Sequence, residues 1–146
     1  MSPQDLSITF PNRLPEIGKA AQLIEAFGAA HGLSPEVVFT LNLALDEVVT
    51  NIISYAYDDE AEHQIRIHVA LERDGVSLRV EDDGRAFNPL DAPTPDLQLG
   101  LDERPIGGLG VHIVRSMMDA IEYRREDDRN IFIMRKRTAA DAESTG

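Results

Sequence analysis

The sequence contains no cysteine. That excludes disulfides and thiolate chemistry, and it is consistent with the cytoplasm. Positive charge is scarce: 14 Lys and Arg stand against 26 Asp and Glu, a formal net charge of −12. Such a surface repels nucleic-acid phosphates and anionic lipids, so neither is an expected direct partner, whereas a basic protein would suit it. MSPQDLSITF has no basic region followed by an apolar stretch, so it is not read as a signal peptide. No apolar run approaches the length needed to span a bilayer, so no membrane segment is expected. No internal repeat and no linker divides the chain.

What remains is the composition of an ordinary globular domain: 146 residues, 42% hydrophobic and 27% charged. A chain of that length buries roughly two-thirds of its unfolded surface. Leu6, Ile8 and Phe10 alternate as in a short strand closed by Pro11. From Leu14 to His31, Ile17, Ala21, Ile24 and Phe27 recur at helical spacing. Ser34-Pro35 then supplies an N-cap and a first-turn proline for a second, longer helix. Its stripe is Val38, Leu41, Leu45, Val48, Ile52 and Tyr55. Ile65 to Leu71 and Val76 to Val80 alternate about Arg73-Asp74-Gly75, as an antiparallel hairpin with an Asp-Gly turn would. Residues 88–106 carry four prolines and no periodicity. A third helix is expected from near Gly110, with Val111, Val114, Met117 and Met118 inward. Ile121 to Arg125 and Asn130 to Lys136 form a second hairpin joined at EDDR, and residues 138–146 read as a disordered tail. Strands arriving as hairpins, with helices on one face, argue for an α+β two-layer sandwich rather than a doubly wound parallel sheet.

Three stretches carry chemistry. In LALDEVVTNIISYAY, Ala44, Glu47, Asn51 and Ser54 share one line of the helix beside its apolar stripe. A carboxylate and an amide one turn apart can hold a metal-bound phosphate and an attacking hydroxyl together, or simply line a solvated edge. In VEDDGRAFNP, Asp82 ends an apolar strand, where a fixed carboxylate can accept a hydrogen bond from an exocyclic amino group such as that of adenine. Gly84 and Ala86 would let a ring or phosphate approach the backbone, although Asp-Asp-Gly-Arg is also a good turn. In GGLGVHIVRSMMD, Gly107, Gly108 and Gly110 precede an amphipathic helix, a junction that suits phosphates or serves as a hinge.

In this order and at these separations, LDEVVTNIISYAY, VEDDGRAFNP, IGGLGVHIVRSMMD and the ending NIFIMRKR resemble the GHKL superfamily of ATP-binding domains, which share the Bergerat fold. Within it the sequence is most similar to the anti-sigma-factor serine/threonine kinases of bacterial partner-switching systems. The resemblance implies a single domain over residues 1–137, with a mixed, mostly antiparallel sheet, three helices on one face and an ATP lid at about 88–106. It implies that Asn51 holds Mg²⁺ on the ATP phosphates and that Glu47 is the general base or positions the hydroxyl. Asp82 would contact the adenine amino group with Gly84 beside it, and Ala86 would stand where many relatives have a second glycine. Gly108, Leu109 and Gly110 would cradle the phosphates, and Arg104 is a candidate γ-phosphate contact. Tyr55 stands where several relatives have His. His31, His63, His68 and His112 show no metal-ligand spacing.

The expected function is an ATP-dependent serine/threonine kinase that phosphorylates a STAS-type anti-sigma-factor antagonist and also binds a sigma factor. A non-catalytic ATP-binding module that sequesters a partner is the alternative. A stand-alone histidine-kinase ATPase domain is disfavoured, because the chain has no dimerisation helices carrying a phosphoacceptor histidine. Members of this branch often form homodimers, an expectation that rests on the resemblance alone.

Overall fold

Two sequence-local devices start the long helix. The Ser34 side-chain oxygen accepts the Val37 N–H (3.2 Å), and Pro35 occupies the first turn, where a missing N–H costs nothing. The structure, a computed structural model, describes residues 4–91 and 114–138. The described elements are β1 (Asp5–Pro11), α1 (Pro15–Ala30), α2 (Pro35–Tyr55), β2 (Gln64–Glu72), β3 (Gly75–Asp82), β4 (Ala120–Glu126) and β5 (Arg129–Arg137), with a 3-10 turn at Pro89–Asp91. Residues 114–117 are also helical, which places a third helix where periodicity predicts one. The expected start of that helix near Gly110, most of the proline-rich segment and the tail after residue 138 lie outside the described residues.

The strands form one sheet in the order β1-β2-β3-β5-β4, and every pairing among the described residues is antiparallel. Leu6, Ile8 and Phe10 of β1 oppose Val69, Ile67 and Ile65 of β2. Leu78 and Val80 of β3 oppose Met134 and Phe132 of β5. These side chains share the face that meets α1 and α2, so the period-2 and period-3.6 stripes close on each other. Ile24, Leu41, Leu45, Val49, Ile65, Val69, Leu78 and Met134 are completely buried there. Each such side chain contributes about 1.5–3 kcal/mol relative to remaining in water. Val114 and Met118 join the same cluster from the third helix.

Two sequence expectations need correction. The Asp-Gly pair does not form the central residues of the β2–β3 turn, because Glu72 pairs with Gly75 and the turn is Arg73-Asp74. Gly75 is instead demanded by the neighbouring strand, since a Cβ there would run into the Lys136 carbonyl oxygen. The left-handed turn lies in the other hairpin, where Asp127 and Asp128 take φ 51° and 60°, the pattern of a two-residue type I′ turn. The expectation about membrane-spanning length also fails: α2, with 21 residues and a mean hydropathy of 1.4, is long and apolar enough to cross a bilayer. Half of its apolar window is packed inside the protein, as suits a central core helix, and Glu47 and Asn51 interrupt it.

Candidate functional site

The polar end of the sheet is built by two strands running in opposite directions. Asp82 is the last residue of β3 and Asn130 is the second of β5, and antiparallel pairing sets them directly opposite. Both are 1% exposed, so the apolar core ends in a buried acid and a buried amide. The Asn130 Nδ2 donates to Asp82 Oδ1 (2.9 Å), and the Gly84 N–H donates to the same oxygen (2.9 Å). Asp82 Oδ2 is buried and has no hydrogen-bond partner among the described residues. Burial pushes the Asp82 pKa above its ordinary 3.8, with Asn130 and Gly84 opposing the rise, Asp83 adding to it and Arg125 opposing it.

The loop after Asp82 is fastened to the end of α2. Arg85 donates its backbone N–H to the Ala56 carbonyl and its Nε to the Tyr55 carbonyl, both at 2.8 Å. Gly84 lies against the same carbonyl, and a Cβ there would collide with it. The fold therefore requires glycine here on its own account, because the Ala56 backbone fills the space of a Cβ. Ala86 is exposed. The Tyr55 ring packs on Phe87 at 5.8 Å, a second tie between the helix end and the loop.

Asn51 lies five residues before that junction, about 7–8 Å along the helix axis. It is fully buried, and neither Oδ1 nor Nδ2 has a hydrogen-bond partner among the described residues. A buried amide bonded at neither end costs roughly 1–3 kcal/mol per group, which a native fold retains only for a purpose. Glu47 is one turn earlier and half-buried. Burial, then the neighbouring Asp46, raises its pKa above the ordinary 4.5, which suits a proton acceptor. The structure therefore places Glu47, Asn51, Asp82 and Gly84 on two elements that are joined at Ala56. Arg104, Gly108, Leu109 and Gly110 lie outside the described residues.

The sequence reading missed a clamp beside this site. His63 Nε2 is 2.8 Å from Asp59 Oδ1, its Nδ1 is 3.2 Å from Asp83 Oδ1, and its ring stacks on Tyr57 at 4.5 Å. The Asp59 hydrogen bond is the main cause that raises the His63 pKa above 6.5, with Asp83 adding to it. The Tyr57 hydroxyl is buried without a partner among the described residues, and burial, Asp82 and Asp83 push its pKa up. A raised histidine pKa stabilises the fold fully below 6.5, and that contribution fades as pH rises through the folded value. Thermal melts from about pH 5.5 to 8.5 are expected to show this fade in the parent and to lose it in His63→Gln. Its amplitude will be small, because Asp59 is fully exposed and screened.

A groove of about 300 Å³ also opens at the opposite end of the sheet, between Arg73, Asp74, Asp119 and Arg135. None of the buried unpaired atoms among the described residues lines it.

The family model for the histidine kinase-like ATPase domain matches residues 10–136. The chain belongs to this family. The chain is 35% identical, over 75% of its length and 77% of the relative's, to the serine/threonine-protein kinase BtrW of Bordetella bronchiseptica. It is 23% identical to the serine-protein kinase RsbW of Halalkalibacterium halodurans, covering 92% of this chain and 83% of that one. An anti-sigma F factor of Clostridium perfringens shares 27% identity over 82% of this chain and 86% of its own. Among solved structures, the histidine kinase domain of an Erythrobacter litoralis blue-light activated kinase superposes with a TM-score of 0.52 at 19% identity. That match spans 88% of this chain and 61% of the solved chain, and it speaks to the ATPase-domain fold alone.

Proposed function

We propose that this histidine kinase-like ATPase domain is an ATP-dependent serine/threonine protein kinase of a partner-switching system. It phosphorylates a STAS-type anti-sigma-factor antagonist and, in its other partner state, binds a sigma factor. The observation that carries this reading is that the Asn51 amide and Asp82 Oδ2 are buried without hydrogen-bond partners among the described residues, with Glu47 one turn from Asn51. The relatives named as serine-protein kinases and anti-sigma F factor support the same reading.

In this reading Asp82 Oδ2 accepts the adenine amino hydrogen, and Asn51 Oδ1 is a hard oxygen suited to Mg²⁺. Bound Mg²⁺ would neutralise charge on the transferring phosphoryl group. Glu47 takes the proton of the incoming serine or threonine hydroxyl, or orients that hydroxyl. The resemblance would assign the phosphate cradle to Gly108, Leu109 and Gly110 and would make Arg104 a candidate γ-phosphate contact; all four lie outside the described residues. We place the protein in the cytoplasm without nucleic-acid or membrane partners.

The direct test is transfer from labelled Mg-ATP to STAS-domain proteins of the same genome, with complexes read on a native gel. Transfer to one serine or threonine supports the kinase. A stable ATP-dependent complex without transfer makes the protein a nucleotide-gated binding module instead. Because Glu47 must be ionised to act as base, the rate should rise with pH through a midpoint above 4.5. Glu47→Gln is expected to lower the rate by about 10²–10⁴-fold and to flatten that limb. An undiminished rate removes Glu47 as the base.

A further inference from the structure

Asn130 is the most heavily bonded side chain around the site. Its Oδ1 accepts three donors: the Tyr123 hydroxyl at 2.6 Å, the Phe87 N–H at 3.1 Å and Arg125 Nη1 at 3.1 Å. Its Nδ2 donates to Asp82 Oδ1 at 2.9 Å and to the Arg85 carbonyl at 2.7 Å. The amide orientation is therefore dictated rather than chosen, since a backbone N–H and a guanidinium only donate, and a carbonyl only accepts. Arg125 Nη1 also donates to the Gly84 carbonyl at 2.8 Å, which ties the same β4 side chain to both sides of the Asp82 loop.

Building on the ATP-binding reading, we infer that Asn130, oriented by Tyr123 and Arg125, is a positioning residue that fixes Asp82 as an ionised acceptor and so sets the preference for adenine over guanine nucleotides. The two donors on Asp82 Oδ1, Asn130 Nδ2 and Gly84 N–H, leave the other oxygen of this carboxylate, Oδ2, buried without a partner among the described residues. An acceptor there takes the amino hydrogen of adenine and repels the carbonyl oxygen that guanine presents at the same position. A protonated Asp82 would donate instead, and the discrimination would invert. Asn130 is the strongest of the groups that oppose this protonation. Arg125 from β4 helps it, Asp83 works against it, and Tyr57 faces Asp82 from the segment after α2.

The test uses the full chain and two variants, with fluorescent ATP and GTP analogues titrated across about pH 5.5–8.5. Tyr123→Phe removes one of the three donors on the amide oxygen and little else, so the fold should persist. It is expected to weaken ATP binding about threefold to tenfold, to leave GTP binding unchanged, and to appear in KM rather than kcat. Asn130→Asp sets two carboxylates together, which then share a proton. The ATP-over-GTP ratio should fall at least about tenfold, and ATP binding should acquire a pH dependence in this range. A structural role alone would weaken both nucleotides equally and lower the melting temperature. If both variants keep the parent ATP-over-GTP ratio, the inference is overturned; if Asn130→Asp fails to fold, Tyr123→Phe decides alone. A parent that binds no ATP overturns the ATP reading itself, which distinguishes the two failures.

Discussion

Asn51→Leu should melt at a higher temperature than the parent and should no longer transfer phosphate. These two effects rarely travel together, and their combination follows from the burial of this side chain. Asn51 is 0% exposed, and its amide is bonded at neither end among the described residues. Leucine has the same heavy-atom count and branching as asparagine, is somewhat bulkier, and joins the stripe formed by Val48, Val49 and Ile52. Removing the unsatisfied amide is worth about 2 kcal/mol, which for a chain of this length raises Tm by about 5 °C. The oxygen proposed for Mg²⁺ is lost at the same time, and charge stabilisation of several kcal/mol corresponds to on the order of 10³-fold in rate. Melts and transfer assays on one preparation check both halves. A Tm that falls would mean that the amide is structurally bonded and not reserved for a ligand.

The sheet and its helices were legible in the sequence because their signals are local. Ser34-Pro35 marks the start of α2 to the residue, and the alternation in Ile65–Leu71 and Val76–Val80 fixes both faces of one hairpin. Glu47, Asn51 and Asp82 stand out for a related reason: two polar side chains adjoin the apolar stripe of a helix, and the third closes an apolar strand. What the sequence did not show has the opposite cause. Gly75 and Gly84 lie against the backbones of Lys136 and Ala56, both distant in sequence, and a glycine in the sequence does not say what approaches it. No uninterrupted apolar run marks α2 in the sequence, because Asp46, Glu47 and Asn51 break it, although the mean hydropathy of its most apolar stretch is high.

Asn130 was missed although a signal existed. Asp82 closes an apolar alternation and Asn130 opens one, so antiparallel neighbours bring the two polar ends together. Seeing this required knowing that β3 pairs with β5 rather than with its chain neighbour on the other side. That pairing is non-local, and hydrophobic period alone does not specify it. His63 was equally hidden, because its partners Asp59 and Asp83 come from two different loops.

Asp82→Asn should abolish ATP recognition while stabilising the fold, and pH separates this result from simple loss of a contact. Oδ1 of the replacement amide remains committed to the Gly84 N–H and to Asn130 Nδ2, so its own Nδ2 must take the place of the free oxygen. A donor then faces the adenine amino group, and an affinity loss of about 10²-fold or more follows from the unpaired donors on both sides. The stability half comes from the raised pKa of Asp82. A buried acid whose folded pKa lies above 3.8 is costly to keep ionised, and that cost is complete at neutral pH. It shrinks as pH falls through the folded value and vanishes below 3.8, where folded and unfolded chains are protonated alike. The variant should therefore be more stable than the parent at pH 7, with the gap closing as the buffer is acidified. Denaturant unfolding of both proteins at several pH values measures the gap. A parent that is more stable than Asp82→Asn at neutral pH would show that the Asn130 and Gly84 hydrogen bonds outweigh burial, and that Asp82 serves the fold rather than a nucleotide.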